Sequence, residues 1–271
     1  MKAALIQMRT VSDKAENLRH ARELIDEAAK NGADLCVLPE MFCCEYRNRS
    51  FIENQEPAGG PAWQMLSAAA RENRVWLIGG SVPEAEDGKL YNTSFVFDRE
   101  GNQAARCRKS HLFDIAVEGG QHFKESATFT PGDEICSFDT EFGRLGLCIC
   151  FDMRFPELAR IMSLDGAWAV FCPASFNMTT GPAHWEIMFR FRAVESQVYA
   201  LGCAPARDEQ GSYVSYANSI AVSPWGDVLA RAGAEETTLY VELDPAYVES
   251  IRAQLPLMSA RRTDMYTLRR V

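Results

Sequence analysis

No run in the chain approaches 18 consecutive apolar residues, so no membrane span is expected. There is no low-complexity tract, no Pro- or Ser-rich linker and no visible domain boundary; residues 1–271 read as one domain. A basic cluster is also missing, and the net charge is −9, which argues against nucleic acid and anionic membrane surfaces as partners. An anionic small molecule stays open, because a local pocket can oppose the net field. Histidine is scarce: four residues, at 20, 111, 122 and 184, lie far apart, and the Cys148-x-Cys150 pair has no second cluster to complete a metal site. No glycine fingerprint follows the first strand-like segment, which argues against a dinucleotide fold. No C-x-x-C opens a helix, which argues against a thiol redox protein. The opening MKAALIQMRT has only a short apolar run and no cleavage-site pattern, so no leader is expected.

Cysteine, by contrast, is plentiful. Nine residues, an odd number, sit mostly in apolar strand-like runs of a chain too long to need stapling. That pattern predicts reduced thiols and a cytoplasmic setting.

Hydrophobic periodicity predicts alternating strands and helices in the first half. Residues 2–8 read as a strand, 13–30 as a helix capped by Ser12 or Asp13, and 35–39 as a buried strand stopped by Pro39. A helix is predicted over 61–73, a strand over 74–82, and a hairpin over 91–109 turning at 99–102. Residues 110–134 are polar, Gly-rich and long for a connection, which suggests a functional loop. A strand at 143–152, a helix at 155–166, a strand at 167–175 and a helix at 182–197 follow, then a strand-rich end. This is an α/β protein with helices covering its sheets.

Three reactive side chains fall where strands end: Glu40, Lys109 and Cys150. Strand ends are where open α/β sheets bind ligands. An acid, a cation and a thiol brought together there would supply a base, a charge stabiliser and a nucleophile. Taken singly, each has an ordinary reading. A Glu after Pro is usually solvated, a Lys in RCRK usually sits on a solvated face, and a buried Cys is usually a small hydrophobe. Strand alternation does not choose between Cys148 and Cys150, since positions two apart share a face.

The ordered segments LPEMF (38–42), RKSHLFD (108–114) and CICFDMRFPE (148–157) resemble the nitrilase superfamily of carbon–nitrogen hydrolases, over essentially the whole chain. The resemblance implies a Glu-Lys-Cys triad of Glu40, Lys109 and Cys150, the cysteine being the one followed by Phe151 and Asp152. Cys148 then remains a buried small residue, and the strand end exposes Cys150. A second family glutamate maps to Glu125 in HFKES (122–126). The implied fold is a four-layer αββα sandwich, and the implied mechanism passes through a cysteine thioester without metal or organic cofactor.

FNMTTGPAHWE (176–186), VPEAEDGKLYNTSFVFD (82–98) and SPWGDVLA (223–230) further resemble the ω-amidase branch, which hydrolyses the terminal amide of 2-oxoglutaramate and 2-oxosuccinamate. The deaminated-glutathione amidases share TGPAHWE and the triad and form the alternative; nitrilases proper and N-carbamoyl amide hydrolases are further rivals. Such substrates are anionic ketoamides, whose distal carboxylate needs a cation or donors. Arg154 and Tyr46 are the candidates, with Thr179 and Thr180 behind them and the Phe151 N–H as an oxyanion donor. Arg154 has an alternative use, pairing with Asp152 or Glu157. His184 and Trp185 fit either a pocket wall or the core. The resemblance also implies a homodimer or larger homo-oligomer. It would form through the helices at 155–165 and 182–197, with the tail 255–271 reaching a partner subunit.

Overall fold

The computed structural model describes residues 1–271. The first half runs β1 (Lys2–Gln7), α1 (Lys14–Lys30), β2 (Leu35–Val37), α2 (Asn48–Glu53), α3 (Pro61–Asn73), β3 (Trp76–Ile78), β4 (Val82–Glu86), β5 (Lys89–Phe97) and β6 (Gln103–Arg108). A small hairpin, β7 (Asp114–Ala116) and β8 (His122–Lys124), occupies the expected functional loop. The second half runs β9 (Cys136–Thr140), β10 (Gly143–Leu147), α4 (Pro156–Leu164), β11 (Ala169–Pro173), α5 (Gly181–Ser196), β12 (Tyr199–Cys203), β13 (Ile220–Val222), β14 (Val228–Arg231), β15 (Thr237–Glu242) and α6 (Pro245–Gln254).

Seven strands form one sheet in the order β15-β1-β2-β3-β5-β4, with β6 also pairing β5. Six form the other, in the order β14-β13-β12-β11-β10-β9. The strand periodicity of two explains how they stack. In β1, Ala3 and Leu5 join the core between the sheets, while Ala4 and Ile6 join the core beneath α1 and α3. In β3, Trp76 and Ile78 face the other sheet and Leu77 faces the helices. On the far side, Trp185, Phe189 and Ala193 of α5 and Met162 of α4 close over the second sheet. The layers are therefore α, β, β, α, as expected. Both faces of the central strands are buried, which is why they read as continuous apolar runs rather than alternating ones.

Local chemistry sets the element ends. Asp13 caps α1 by accepting from the Glu16 N–H at 3.0 Å. Glu56 caps α3 by accepting from the Ala62 N–H at 2.8 Å, and Lys14 pairs with it at 2.5 Å. The periodicity does not reveal α2, α6, β4 or β9. The signal for β4 is Asp87-Gly88, whose φ values of 51° and 73° make the two-residue turn that returns β4 into β5. The signal for α6 is Asp244-Pro245, with the Asp244 side chain accepting from the Ala246 N–H at 2.9 Å.

One strand is shorter than predicted. The segment 143–152 leaves the sheet after Leu147, and residues Cys150–Arg154 coil into a 3-10 turn. Cys148 and Cys150 therefore do not share a strand face. The tail beyond Leu255 forms only turns. It runs beside its own α4: Arg270 pairs with Asp165 at 2.8 Å, and Gln197 holds the Leu255 carbonyl at 2.6 Å.

Candidate active site

The first sheet brings in two polar groups and the β7–β8 hairpin a third. Glu40 follows β2 by three residues, and the chain turns sharply just after it, with Met41 at φ 54°. Gly80 at the end of β3 lies so close that a Cβ there would sit 2.1 Å from the Pro39 carbonyl oxygen, so only glycine lets the two backbones meet. Lys109 follows β6, and its N–H donates to the Asn92 carbonyl at 2.8 Å. Glu125 opens a short 3-10 turn after β8.

These groups converge in a dry interior. Glu40 and Lys109 are each 1% exposed and Glu125 is 0% exposed. Lys109 Nζ lies 2.8 Å from Glu40 Oε1 and 2.8 Å from Glu125 Oε2. Glu125 Oε2 also accepts from the Phe113 N–H at 2.6 Å. Glu40 Oε1 accepts from Lys109, from Asn92 Nδ2 at 2.9 Å and from the Tyr46 hydroxyl at 3.4 Å. Glu40 Oε2 accepts no hydrogen bond at all.

The second sheet supplies the thiol. Cys150 sits at φ 48°, a left-handed conformation that costs a non-glycine residue about 1–3 kcal/mol. Asp152 holds the turn in place. It accepts from the Ile149 N–H at 3.1 Å and from the His111 N–H at 2.8 Å, and lies 2.8 Å from His111 Nδ1. One carboxylate thus pins the start of the cysteine turn to the segment that follows Lys109. The expectation that the strand end exposes Cys150 does not hold: the residue is 3% exposed. What sets it apart from Cys148 is the kinked backbone that aims it at Glu40.

The electrostatics follow from that burial. Desolvation raises the Glu40 carboxyl above its ordinary value against the opposing pull of Lys109, and the nearby Glu125 adds to the rise. Desolvation, reinforced by Glu40, pushes the Cys150 thiol well up, with Lys109 and the Ser175 backbone N–H working against it. Desolvation alone would lower the Lys109 ammonium, but Glu125, Glu40 and Cys150 together hold it well above its usual value. The resting site is a neutral thiol facing a carboxylate that binds protons more readily than usual, beside a firmly charged lysine.

Arg154 makes neither of the pairings considered for it. Asp152 is engaged by His111, and the Arg154 guanidinium lies 4.8 Å from the Phe176 ring and 5.7 Å from the Phe151 ring. Its Nη1 donates to His184 Nδ1 at 3.1 Å, which places the histidine proton on Nε2, and its Nε is buried without a partner. Tyr46 packs on Tyr213 with ring centroids 4.6 Å apart. Both rings line a cleft of about 410 Å³ together with Ser175, so this cleft borders the buried cluster. The Thr179 hydroxyl accepts from the Gln121 N–H at 3.1 Å, and the Thr180 hydroxyl donates to Asn177 Oδ1 at 3.2 Å; both hold loops. Trp185 belongs to the core, while His184 borders Arg154.

The sequence reading missed Asn92, Tyr213, Ser175 and the His111–Asp152 clamp. Asn92 depends on a detail the turn does not show: a register shift between Val96 and Phe97 sets Thr93 opposite Arg108, and the next step along the ladder brings Asn92 beside Lys109. No group of three or more His, Cys, Asp or Glu is arranged to hold a metal.

The sequence model of the carbon-nitrogen hydrolase family matches residues 2–253. The chain belongs to that family. It is 47% identical to the mouse protein named omega-amidase NIT2, over 98% of this chain and 96% of the relative. Among solved structures, it superposes on Nit3 of Saccharomyces cerevisiae, described as a member of branch 10 of the nitrilase superfamily. That match has a TM-score of 0.89 and 39% identity, and covers 97% of this chain and 96% of the other. An amidase from Nesterenkonia matches with a TM-score of 0.78 and 27% identity, over 94% of this chain and 98% of the other; a glutamate-to-glutamine mutant of that amidase was solved with acrylamide added to its active-site cysteine. The expected α/β sandwich of a nitrilase-superfamily hydrolase is therefore met in both sequence and fold. A carbon–nitrogen hydrolase needs a nucleophile, a base and an oxyanion partner, and the cluster around Cys150 contains side chains of all three kinds.

Proposed function

We propose that this hydrolase is an ω-amidase. It cleaves the terminal amide of short 2-oxo dicarboxylic monoamides, 2-oxoglutaramate and 2-oxosuccinamate, through a thioester on Cys150. The mouse relative's name supports the branch. The observation that carries the mechanism is the asymmetry of Glu40: one oxygen is saturated by three donors, and the other is bare in a carboxylate that faces the thiol.

In this reading the thiol proton moves to Glu40 Oε2 and the Cys150 sulfur attacks the amide carbon. Lys109 and the backbone N–H groups of Phe151 and Ser175 meet the oxyanion; one such donor is worth roughly 3 kcal/mol. The intermediate collapses, Glu40 returns the proton to the departing ammonia, and the acyl group remains on sulfur. Glu40 then takes a proton from water, whose oxygen attacks the thioester carbon; the carbon–sulfur bond breaks, the acid is freed and Glu40 returns the proton to the Cys150 sulfur. Glu125 keeps Lys109 charged and in place.

The half-buried Arg154 guanidinium, which pairs with no carboxylate, fits the substrate's distal carboxylate. Tyr46 and the aromatic wall confine the short chain. Deaminated glutathione is the competing substrate, and the cleft beyond Tyr46 and Tyr213 gives it a specific observation in its favour. Ammonia release by wild-type and Cys150→Ala protein from each compound tests both readings. Turnover of 2-oxoglutaramate that is lost in the variant supports the proposal. Turnover of deaminated glutathione alone moves the chain to the sister branch.

The exposed Ile187 and Phe191 on α5, beside Trp225, are consistent with a homo-oligomer built through α4 and α5. Truncation after residue 254 should then weaken it, and an unchanged sedimentation profile would count against the tail's part. Nine free thiols fit a reducing, cytoplasmic setting. No helix is long and apolar enough to cross a membrane.

A further inference from the structure

Two carboxylates and one ammonium share a site closed to water, and the lysine alone does not account for how they are held. Glu40 and Glu125 both contact Lys109 at 2.8 Å. Both also contact a single nitrogen, Asn92 Nδ2, at 2.9 Å from Glu40 Oε1 and 3.0 Å from Glu125 Oε1. The four side chains close a ring: lysine, glutamate, asparagine, glutamate. Asn92 is 0% exposed. Its amide orientation is fixed by chemistry, because turning Oδ1 toward two carboxylates would leave three acceptors facing one another. Oδ1 accordingly points away and has no partner. The same residue holds the lysine backbone, since its carbonyl accepts the Lys109 N–H at 2.8 Å.

We propose that Asn92 is a positioning residue of the reaction: it clamps Glu40 and Glu125 in fixed register about Lys109 and keeps Glu40 ready to take the Cys150 proton. The proposal deepens the catalytic reading above and rests on Glu40 being the base. Its physical basis is that both amide hydrogens stabilise ionised carboxylates. Without them the two negative groups, closely placed in a dry site, have only Lys109 bridging them, since the Tyr46 hydroxyl reaches Glu40 alone and the Phe113 N–H reaches Glu125 alone. Protonation of Glu40 then becomes easier, and a protonated Glu40 accepts nothing from the thiol. The charged and titratable groups that face Glu40 are Lys109 after β6, Glu125 after β8, Cys150 in its turn, Tyr46 after β2, and Tyr213 in the segment before β13. Of these only Lys109 is cationic, and besides it only Asn92 donates to both carboxylates.

The test is a pH profile of Asn92→Leu, which keeps side-chain volume and the backbone bond to Lys109, and of Asn92→Asp, which adds a third carboxylate. Two rates are followed. One is kcat/KM for ammonia release from 2-oxoglutaramate. The other is alkylation of Cys150 by iodoacetamide, with Cys150→Ala as the blank for the other thiols. In the alkylation the sulfur forms a bond to the methylene carbon, iodide leaves with its electron pair, and the thiol proton passes to Glu40. No amide substrate is needed.

The expected result is an acidic limb displaced upward by about one pH unit or more in both variants, the larger shift in Asn92→Asp, so that rates near neutral pH fall about tenfold and recover in alkali. A merely structural asparagine would lower both rates equally at every pH, and that outcome overturns the proposal. Should Asn92→Leu fail to fold, Asn92→Ser keeps one donor and should show a smaller shift of the same sign; no shift overturns the idea. If alkylation shifts while the ketoamide is not hydrolysed by any form, Asn92 keeps its role and the substrate assignment fails instead.

Discussion

The sheet containing β1 to β6 delivers Glu40, Asn92 and Lys109 already matched to one another, whereas the sheet containing β9 to β14 delivers Cys150 and Arg154 with contacts left open. On the first side both carboxylates reach the ammonium at 2.8 Å and one asparagine closes the ring. On the second side the cysteine is held at φ 48° and the guanidinium ends among aromatic rings without an anion. The difference separates two requirements of a hydrolase. Groups that stabilise charge must be fixed before the substrate arrives, because reorganising them later weakens catalysis. Groups that touch the substrate must be unsatisfied until it does, because a satisfied donor has nothing left to offer.

Substitutions on the two sides should therefore fail differently. The largest effect is expected for Cys150→Ala, which should abolish ammonia release, on the order of 10⁴-fold or more, with little change in thermal unfolding. A large drop in Tm would mean that the thiol also holds the turn. Next comes Lys109→Met. Activity should fall roughly 10²–10³-fold, and stability should fall by about 3–5 kcal/mol because two carboxylates lose their buried cation.

That stability loss has a sign in pH. The variant's carboxyls bind protons more readily folded than unfolded, so stability is retained in acid and is lost as pH rises above the ordinary carboxylate range. Calorimetry at pH 5 and pH 8 checks it; equal losses at both would mean the cluster is not electrostatic in origin. Arg154→Met should act only on binding, lowering kcat/KM for the ketoamide about ten- to hundredfold through KM. An amide lacking the distal carboxylate should be spared, and equal loss for both substrates would remove Arg154 from recognition. The smallest effect belongs to Tyr213→Phe, which removes the hydroxyl bond to the Ser175 carbonyl at 2.5 Å while keeping the ring. A change of a few-fold is expected, about 1 kcal/mol, read as kcat/KM for both candidate substrates.

For wild-type protein, the raised Glu40 carboxyl predicts an acidic limb of kcat/KM above the usual carboxylate range, since only the ionised form accepts the thiol proton.

Much of this was legible in the sequence, and for identifiable reasons. Apolar runs with turn signals gave the helix at Pro61–Asn73 to the residue, and the family resemblance grouped Glu40, Lys109, Cys150 and Glu125, of which Glu40, Lys109 and Glu125 are in direct contact. Local periodicity fails where backbone geometry breaks rank. The left-handed turn at Cys150 cannot be told from a continuing strand, because Leu147, Cys148 and Ile149 are all apolar and all buried. Arg154 was undecidable for a different reason. Its neighbours in sequence offered carboxylates, and only the fold shows that Asp152 is engaged by His111 and the segment after Lys109. Asn92 lay hidden because its importance comes from cross-strand register, a non-local quantity that a one-dimensional reading must deduce rather than see.

The pairing of β1 with β15 shapes how the chain is made. Lys2 lies opposite Glu242 and Gln7 opposite Thr237, so β1 is made long before the strand it pairs with. The roughly 230 residues between them take on the order of ten seconds or more to synthesise at about 5–20 residues per second. Throughout that time β1 presents an unpaired edge, and the fully buried Ala3, Ala4, Leu5 and Ile6 have no finished core to enter. Contacts this distant also slow the closing search. The yield of soluble protein in a producing cell should thus respond to chaperone supply and growth temperature.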